Sequence, residues 1–287
     1  MARSLAVSLV LALFFTTHSH AEPLKPAWSR PLGKGARLVG VEEYGRCIVF
    51  ADRKSIQIVS PENGLLWTWP YASIGRFLNP SEVDVSADCD AIAMVGDATY
   101  KYAWIAQRSG KLVTVELTAT PADARFDRTG QLVAVGTFAG TMQLHSRDGD
   151  LKWKRDTKAS IVQGIAFSDD NKLIVFKGWG GAGEVSMAGH VERSTRDAPE
   201  GDSENAALPY YRWRIASAVG GSRMWLRGEE SIDCVDNRGS VLATISATPS
   251  ERAVFVSRDF SQVLVVSEKG LDPVSVERYE VPKPCRP

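Results

Sequence analysis

Residues Ala122 to Thr157 read ADARFDRTGQLVAVGTFAGTMQLHSRDGDLKWKRDT. Four short runs rich in strand-forming residues stand in this stretch: Ala122 to Phe126, Leu132 to Gly136, Met142 to His145 and Leu151 to Arg155. The first gap is Asp127-Arg128-Thr129-Gly130 and the second Thr137-Phe138-Ala139-Gly140, and each ends in a glycine able to take the positive φ of a tight turn. Asp148-Gly149 supplies the third gap. Apolar residues do not recur three and four apart over ten positions, so the expectation is four successive antiparallel strands and no helix.

The same unit recurs along the chain. A glycine-led start to a strand appears at Gly64, Gly110, Gly149, Gly189 and Gly239, with successive separations of 46, 39, 40 and 50 residues. That is the period of a four-stranded blade. Upstream of these glycines stand second-strand cores at Ile48 to Phe50, Ile92 to Val95, Leu132 to Val135, Leu173 to Phe176 and Met224 to Leu226, and a sixth follows the last glycine at Val263 to Val266. All six are nearly continuous apolar runs, as strands covered on both faces must be. A first-strand ending recurs as Val85-Ser86-Ala87-Asp88, Phe167-Ser168-Asp169-Asp170 and Val256-Ser257-Arg258-Asp259. Its Ser and Asp side chains are expected to cap the following turn, a structural role rather than a catalytic one.

These repeats predict an all-β chain folded as a six-bladed β-propeller, with seven blades as the alternative. The sixth unit, from about Glu251, runs out at Pro287 after three strands. Residues 27 to 32, AWSRPL, resemble the outer strands around Trp67 and Trp153, so they are expected to supply the missing fourth strand of the last blade. Closure of this kind removes the unpaired edge an open stack would leave. The units resemble those of WD-repeat and pyrroloquinoline-quinone-type propellers, the latter through the run Gly149 to Trp153 and its relative Gly64 to Trp67. The resemblance spans residues 27 to 281 and implies the fold. No Trp-Asp dipeptide ends a third strand, and Asn63, Ser109, Asp148, Ala188 and Arg238 stand where the quinone-type repeat places threonine. No cofactor is therefore expected.

At the head of the chain, Arg3 precedes an apolar run from Leu5 to Phe15 that is shorter than the roughly 20 residues a bilayer span needs. Ser19 and Ala21 supply the small residues of a cleavage site, so residues 1–21 read as a signal peptide and 22–287 as a single propeller domain. The expected location is the periplasm or the exterior, with no membrane anchor after cleavage. Export makes Cys47, Cys89, Cys234 and Cys285 disulfide candidates, and four cysteines allow three connectivities. Placed on the blades, they fall toward one end of the strands on neighbouring units. The expected pairs are Cys47 with Cys89 and Cys234 with Cys285, each contributing about 2 to 4 kcal/mol.

Chemistry-bearing groups are few. The 34 basic and 34 acidic residues balance, so no global charge drives the chain onto nucleic acid. Only His145 and His190 follow the leader, both read as structural or solvated, and no ligand spacing for a metal and no Gly-x-Ser-x-Gly elbow occurs. Gly178 to Gly183 matches Gly-x-Gly-x-x-Gly, but a strand-like Val185-Ser186-Met187 follows where a phosphate cradle needs a helix. A hairpin tip is expected instead. No catalytic, cofactor or metal residue is assigned. The second-to-third hairpins of a propeller share one face with the links between blades, and Arg53, Tyr100, Lys101, Phe138, Trp179 and Arg212 are the binding-face candidates there. The leading reading is an exported, non-catalytic, monomeric platform for a protein partner. The alternatives are an enzyme at the channel mouth (quinone-dependent dehydrogenase, lyase or hydrolase) and a carbohydrate- or peptide-binding module.

Overall fold

A computed structural model of the chain describes residues 23–31, 36–71, 82–96, 101–168, 170–178, 181–195, 215–217, 223–227, 231–236, 240–246, 253–257, 261–269 and 272–286. Their strands form six four-stranded antiparallel sheets. Strand β1 (Trp28–Pro31) comes first in the chain. Sheet I holds β2 (Arg37–Val41), β3 (Ile48–Ala51), β4 (Ser55–Ser60) and β5 (Gly64–Pro70). Sheet II holds β6 (Glu82–Val85), β7 (Ala91–Val95), β8 (Tyr102–Gln107) and β9 (Leu112–Glu116). Sheet III, the quoted stretch, holds β10 (Pro121–Phe126), β11 (Leu132–Thr137), β12 (Thr141–Ser146) and β13 (Leu151–Asp156). Sheet IV holds β14 (Gln163–Phe167), β15 (Leu173–Gly178), β16 (Gly181–Ser186) and β17 (Val191–Thr195). Sheet V holds β18 (Ile215–Ser217), β19 (Arg223–Arg227), β20 (Ser231–Asp236) and β21 (Val241–Ser246). Sheet VI takes β22 (Ala253–Val256), β23 (Gln262–Lys269) and β24 (Asp272–Glu280) from the tail of the chain and β1 from its head. Trp28 lies opposite Arg278 and Pro31 opposite Ser275. The arrangement is propeller-like.

One side-chain position caps the turn after the first strand in five of the sheets. Ser86, Ser168 and Ser257 accept hydrogen bonds through Oγ from the N–H groups of Ala91, Leu173 and Gln262, as the sequence leads one to expect. Glu42 and Asp127 take over the task in sheets I and III. Glu42 Oε2 accepts from the N–H groups of Tyr44 and Arg46, and Asp127 Oδ1 from those of Gln131 and Leu132.

Second strands face two neighbours at once, which explains their continuous apolarity. In β7, Ile92 and Met94 pack toward sheet I while Ala91, Ala93 and Val95 pack toward sheet III. In β23, Val263 and Val265 join the cluster shared with sheet V, and Leu264 and Val266 join the one shared with sheet I. Period-two alternation thus assigns odd and even residues to different junctions. Buried clusters of this sort span sheets I/II, II/III, III/IV, V/VI and VI/I.

Polar ties reinforce the apolar contacts. Trp67 of β5 donates its indole N–H to the carbonyl of Cys89 at 2.7 Å, and Trp153 of β13 donates to that of Met187 at 2.9 Å. Each outer strand is thereby pinned to the next sheet. Disulfides join Cys47 to Cys89 and Cys234 to Cys285, the latter in a 3₁₀ turn at Lys283–Cys285, so both bridges cross junctions as their placement on the units predicts. The Leu24 N–H donates to the carbonyl of Thr244 in β21, and head and tail of the described chain therefore both fasten onto sheet V. Gly140 has φ +71°, and a Cβ there would stand 1.8 Å from the carbonyl oxygen of Ala159. Only glycine fits where that link crosses the hairpin.

Candidate functional site

The first strands of consecutive sheets meet one another, β2 against β6, β6 against β10 and β10 against β14. Three charged side chains lie between them. Asp84 is on β6, and Asp123 and Arg125, two apart, share one face of β10. They are 7%, 2% and 6% exposed. Each aspartate reaches forward one sheet to a backbone donor: Asp84 Oδ2 accepts from the N–H of Phe126 at 2.7 Å, and Asp123 Oδ2 from that of Ile165 at 2.8 Å. Arg125 sits between them, with Nε 3.1 Å from Asp123 Oδ1 and Nη1 3.9 Å from Asp84 Oδ1. Burial pushes the Asp84 carboxyl up to about 6, against the opposing pull of the Arg125 charge and the Phe126 N–H, while Asp123 pushes the same way as burial.

Where these strands run into their first-to-second turns they leave a cleft of about 80 Å³, lined among others by Glu42, Tyr44, Asp84, Arg125, Arg128 and Phe167. That is small against the roughly 300–1,000 Å³ of sites that hold drug-sized molecules. It has the volume of a few waters or of one small polar head group. Two carboxylates at its wall are fully engaged. Glu42 accepts from the Arg46 guanidinium as well as from two backbone N–H groups, and Asp127 Oδ2 accepts from Thr129 Oγ1 and Asn171 Nδ2.

The rim candidates lie at the opposite end of the strands. Arg53 is exposed in the β3–β4 turn, Lys101 is exposed just before β8, and Phe138 is 48% exposed in the β11–β12 turn. The structure thus brings one candidate from each of sheets I, II and III to the same rim. Tyr100, Trp179 and Arg212 lie outside the described residues. Gly178 and Gly181 pair across β15 and β16, so the described glycines of the motif belong to two paired strands and Gly181 to Gly183 open a strand where a phosphate cradle needs a helix. His145 is buried on β12, with Nε2 2.9 Å from Gln143 Oε1 and Nδ1 3.2 Å from the Gly149 carbonyl oxygen; burial lowers its pKa. It fills a structural role, as expected, and His190 is exposed in a turn. Among the described residues no group of three or more His, Cys, Asp or Glu could hold a metal ion, and no helix is long and apolar enough to cross a membrane. The two disulfides point to an oxidising compartment.

The Asp84–Asp123–Arg125 trio is absent from the sequence-derived candidates. Charged residues in short strands read as solvent-facing, and only the stacking of first strands reveals that these are buried. A usable signal exists in Asp123-Ala124-Arg125, where opposite charges stand at period two inside a run that otherwise faces a core.

No protein-family model and no curated protein matches the sequence. Among solved structures, a chain of hydrazine synthase from Kuenenia stuttgartiensis superposes with a TM-score of 0.58, covering 86% of this chain and 96% of that one at 10% sequence identity. At that identity the likeness is one of fold alone.

Proposed function

We propose that the chain is an exported six-bladed propeller, closed by its own head strand, and that the rim of its second-to-third hairpins docks a protein partner without catalysing a reaction. The observation that carries this reading is the half-exposed Phe138 at a hairpin tip, on the same rim as the exposed basic residues Arg53, Lys54 and Lys101. An aromatic anchor with cationic neighbours is the composition of an interface centre, where aromatic and arginine side chains carry most of the binding energy. The leader and the disulfides fit a periplasmic or secreted location.

The test uses the mature chain and its Phe138→Asp/Arg53→Glu/Lys101→Glu variant as baits against cell-envelope extract. A stoichiometric partner held by the first and lost by the second is expected. Recovery of the same proteins on both baits, or of none, overturns the reading. An enzyme at the channel mouth draws its support from Asp84, whose pKa of about 6 suits proton transfer near neutrality. Turnover by the wild-type chain that Asp84→Asn abolishes would favour that reading over the platform.

A further inference from the structure

Ion pairs are divided unevenly between the two ends of the strands. Arg46 with Glu42, Arg147 with Asp88 and Lys111 with Asp148 pair among the first-to-second and third-to-fourth turns, and the partners of Arg108, Lys172 and Arg278 lie in turns at that same end. At the other end, the rim of second-to-third hairpins and links, Arg53, Lys54, Lys101, Lys154 and Lys158 are exposed. Among the described residues none of these five has a carboxylate within ion-pair distance. Arg37 adds a sixth cation at the head of β2. The carboxylates at this end of sheets I to IV are Asp52, Glu82, Glu116 and Asp156, and two of them cap their own turns. Asp52 Oδ1 accepts from the N–H groups of Lys54 and Ser55, and Asp156 Oδ1 from that of Lys158. The whole chain is neutral, so the positive surplus belongs to this face.

Three of the cations belong to the links that flank Phe138. The hairpin tip that carries this ring is pinned on both sides: the Phe138 N–H donates to the carbonyl of Thr120 in the link before β10, and the Gly140 carbonyl accepts from the N–H and Oγ1 of Thr157 in the link after β13. Thr137 Oγ1 accepts from the N–H groups of Ala139 and Thr141. A 48%-exposed ring is thus displayed from a fixed backbone. The Lys101 carbonyl accepts from the N–H of Leu117 at the start of the first link, and Lys154 Nζ donates to Thr118 Oγ1 within it at 2.9 Å. Lys158 follows Thr157 in the second link and holds φ +63°, a conformation that costs any residue with a Cβ. An anchored aromatic among cations that lack counter-ions calls for a ligand bearing both an apolar side chain and carboxylates. A single ring is too little apolar surface to seat the rim in a bilayer. We propose that this sector binds an acidic segment of the protein partner, which sets an apolar side chain on Phe138 and carboxylates on Lys101, Lys154 and Lys158. The proposal rests on the docking reading above and supplies the chemistry of the partner.

The test measures binding of the mature chain, by fluorescence anisotropy, to three labelled twelve-residue peptides with Phe and Leu at the same places and Glu, Gln or Lys at the others. The Glu peptide should bind about tenfold tighter than the Gln peptide, and the Lys peptide more weakly than either. Affinity for the Glu peptide should fall about tenfold between about 0.1 and about 1 M salt, as the screening length shrinks from about 10 to about 3 Å. Lys101→Gln/Lys154→Gln/Lys158→Gln should reduce the Glu peptide to the level of the Gln peptide, and Phe138→Ala should weaken both. All four positions are exposed, and urea midpoints equal to that of wild type show that the fold is kept. Equal binding of the Glu and Gln peptides, or a Glu peptide indifferent to the triple variant, overturns the inference; a partner that still depends on the rim in the bait experiment then leaves the docking reading standing. Binding to vesicles containing phosphatidylglycerol, with no preference among the peptides, assigns the cations to an anionic membrane surface and overturns it too. A clear preference for the Glu peptide with no partner on either bait upholds the acidic-segment site and removes the envelope partner instead.

Discussion

Replacing Asp84 by asparagine should alter stability in a way that depends on pH and has a definite sign. Asp84 titrates at about 6 in the folded chain, against an ordinary carboxyl near 3.8. Below 3.8 the group is protonated in both states and contributes nothing. Between the two values the folded state keeps a proton that the unfolded state has lost, so stability declines as pH rises, and above 6 the full cost of a buried carboxylate is present. A gap of about two pH units is worth about 3 kcal/mol. Asparagine removes that cost while its Oδ1 still accepts from the Phe126 N–H. Deleting one partner of a buried ion pair can cost about 3 to 5 kcal/mol when it strands a charge. Here Arg125 keeps Asp123 at 3.1 Å, so no charge is stranded and the titration dominates. Urea unfolding of both chains at pH 4, 5, 6 and 7, in amine-free buffer, reads the effect. The stability of the variant relative to wild type should climb by about 2.4 kcal/mol over that range, the rest of the gap lying below pH 4 and above pH 7. A difference that stays flat, or falls as pH rises, would refute the assignment of Asp84 as a buried, undercompensated carboxyl.

Gly140→Ala should cost about 3 kcal/mol or more, because the new methyl collides with the Ala159 carbonyl at a residue already at φ +71°. Gly64→Ala, at φ +73° with nothing within 4 Å, should cost only about 1 to 2 kcal/mol, and urea midpoints for the pair check the contrast. Removing residues 22 to 32 takes β1 from sheet VI and the Leu24 bond from sheet V; a sharp fall in melting temperature is expected, and an unchanged one would contradict closure by the head strand. Replacing both cysteines of either bridge by alanine should cost about 4 kcal/mol by chain entropy, for sequence separations of 42 and 51 residues, measured by thermal melts with and without reductant.

Much of the architecture is legible because it is written in local chemistry. The glycine-ended turns, the doubly apolar second strands and the Ser-x-Asp caps each reflect a constraint within some forty residues. The cysteine pairs become readable once the units are placed, since each pair sits on neighbouring ones. What escaped detection depends on neighbours distant in the chain. Glu42 and Asp127 perform the capping task of Ser86, but a carboxylate in a turn is indistinguishable in sequence from a solvated charge. Asp84 and Asp123 each bond a backbone N–H 42 residues onward, which is one repeat away, but the repeat alone does not say that a charged side chain spans the junction. For the same reason the sequence points to the hairpin rim for function, while the charged cleft lies at the other end of the strands.

Beside the indole bonds of Trp67 and Trp153, the disulfides and the buried aspartate bonds fall at different junctions. Junctions I/II and V/VI carry the disulfides, whereas II/III and III/IV carry the aspartate bonds of Asp84 and Asp123. An apolar cluster alone is non-directional and tolerates sliding of one sheet over the next. A covalent bridge, or a carboxylate fixed on one backbone N–H, does not. Each kind of tie answers to its own agent: reductant acts on the first pair of junctions, and loss of the Asp84 proton as pH rises through about 6 loads II/III but leaves the bridges untouched. Sheet VI is built from both ends of the chain, with β1 paired to β24. The Cys234–Cys285 bridge ties that sheet's C-terminal 3₁₀ turn to β20 of sheet V, so the sheet that joins head and tail is also held covalently to its neighbour.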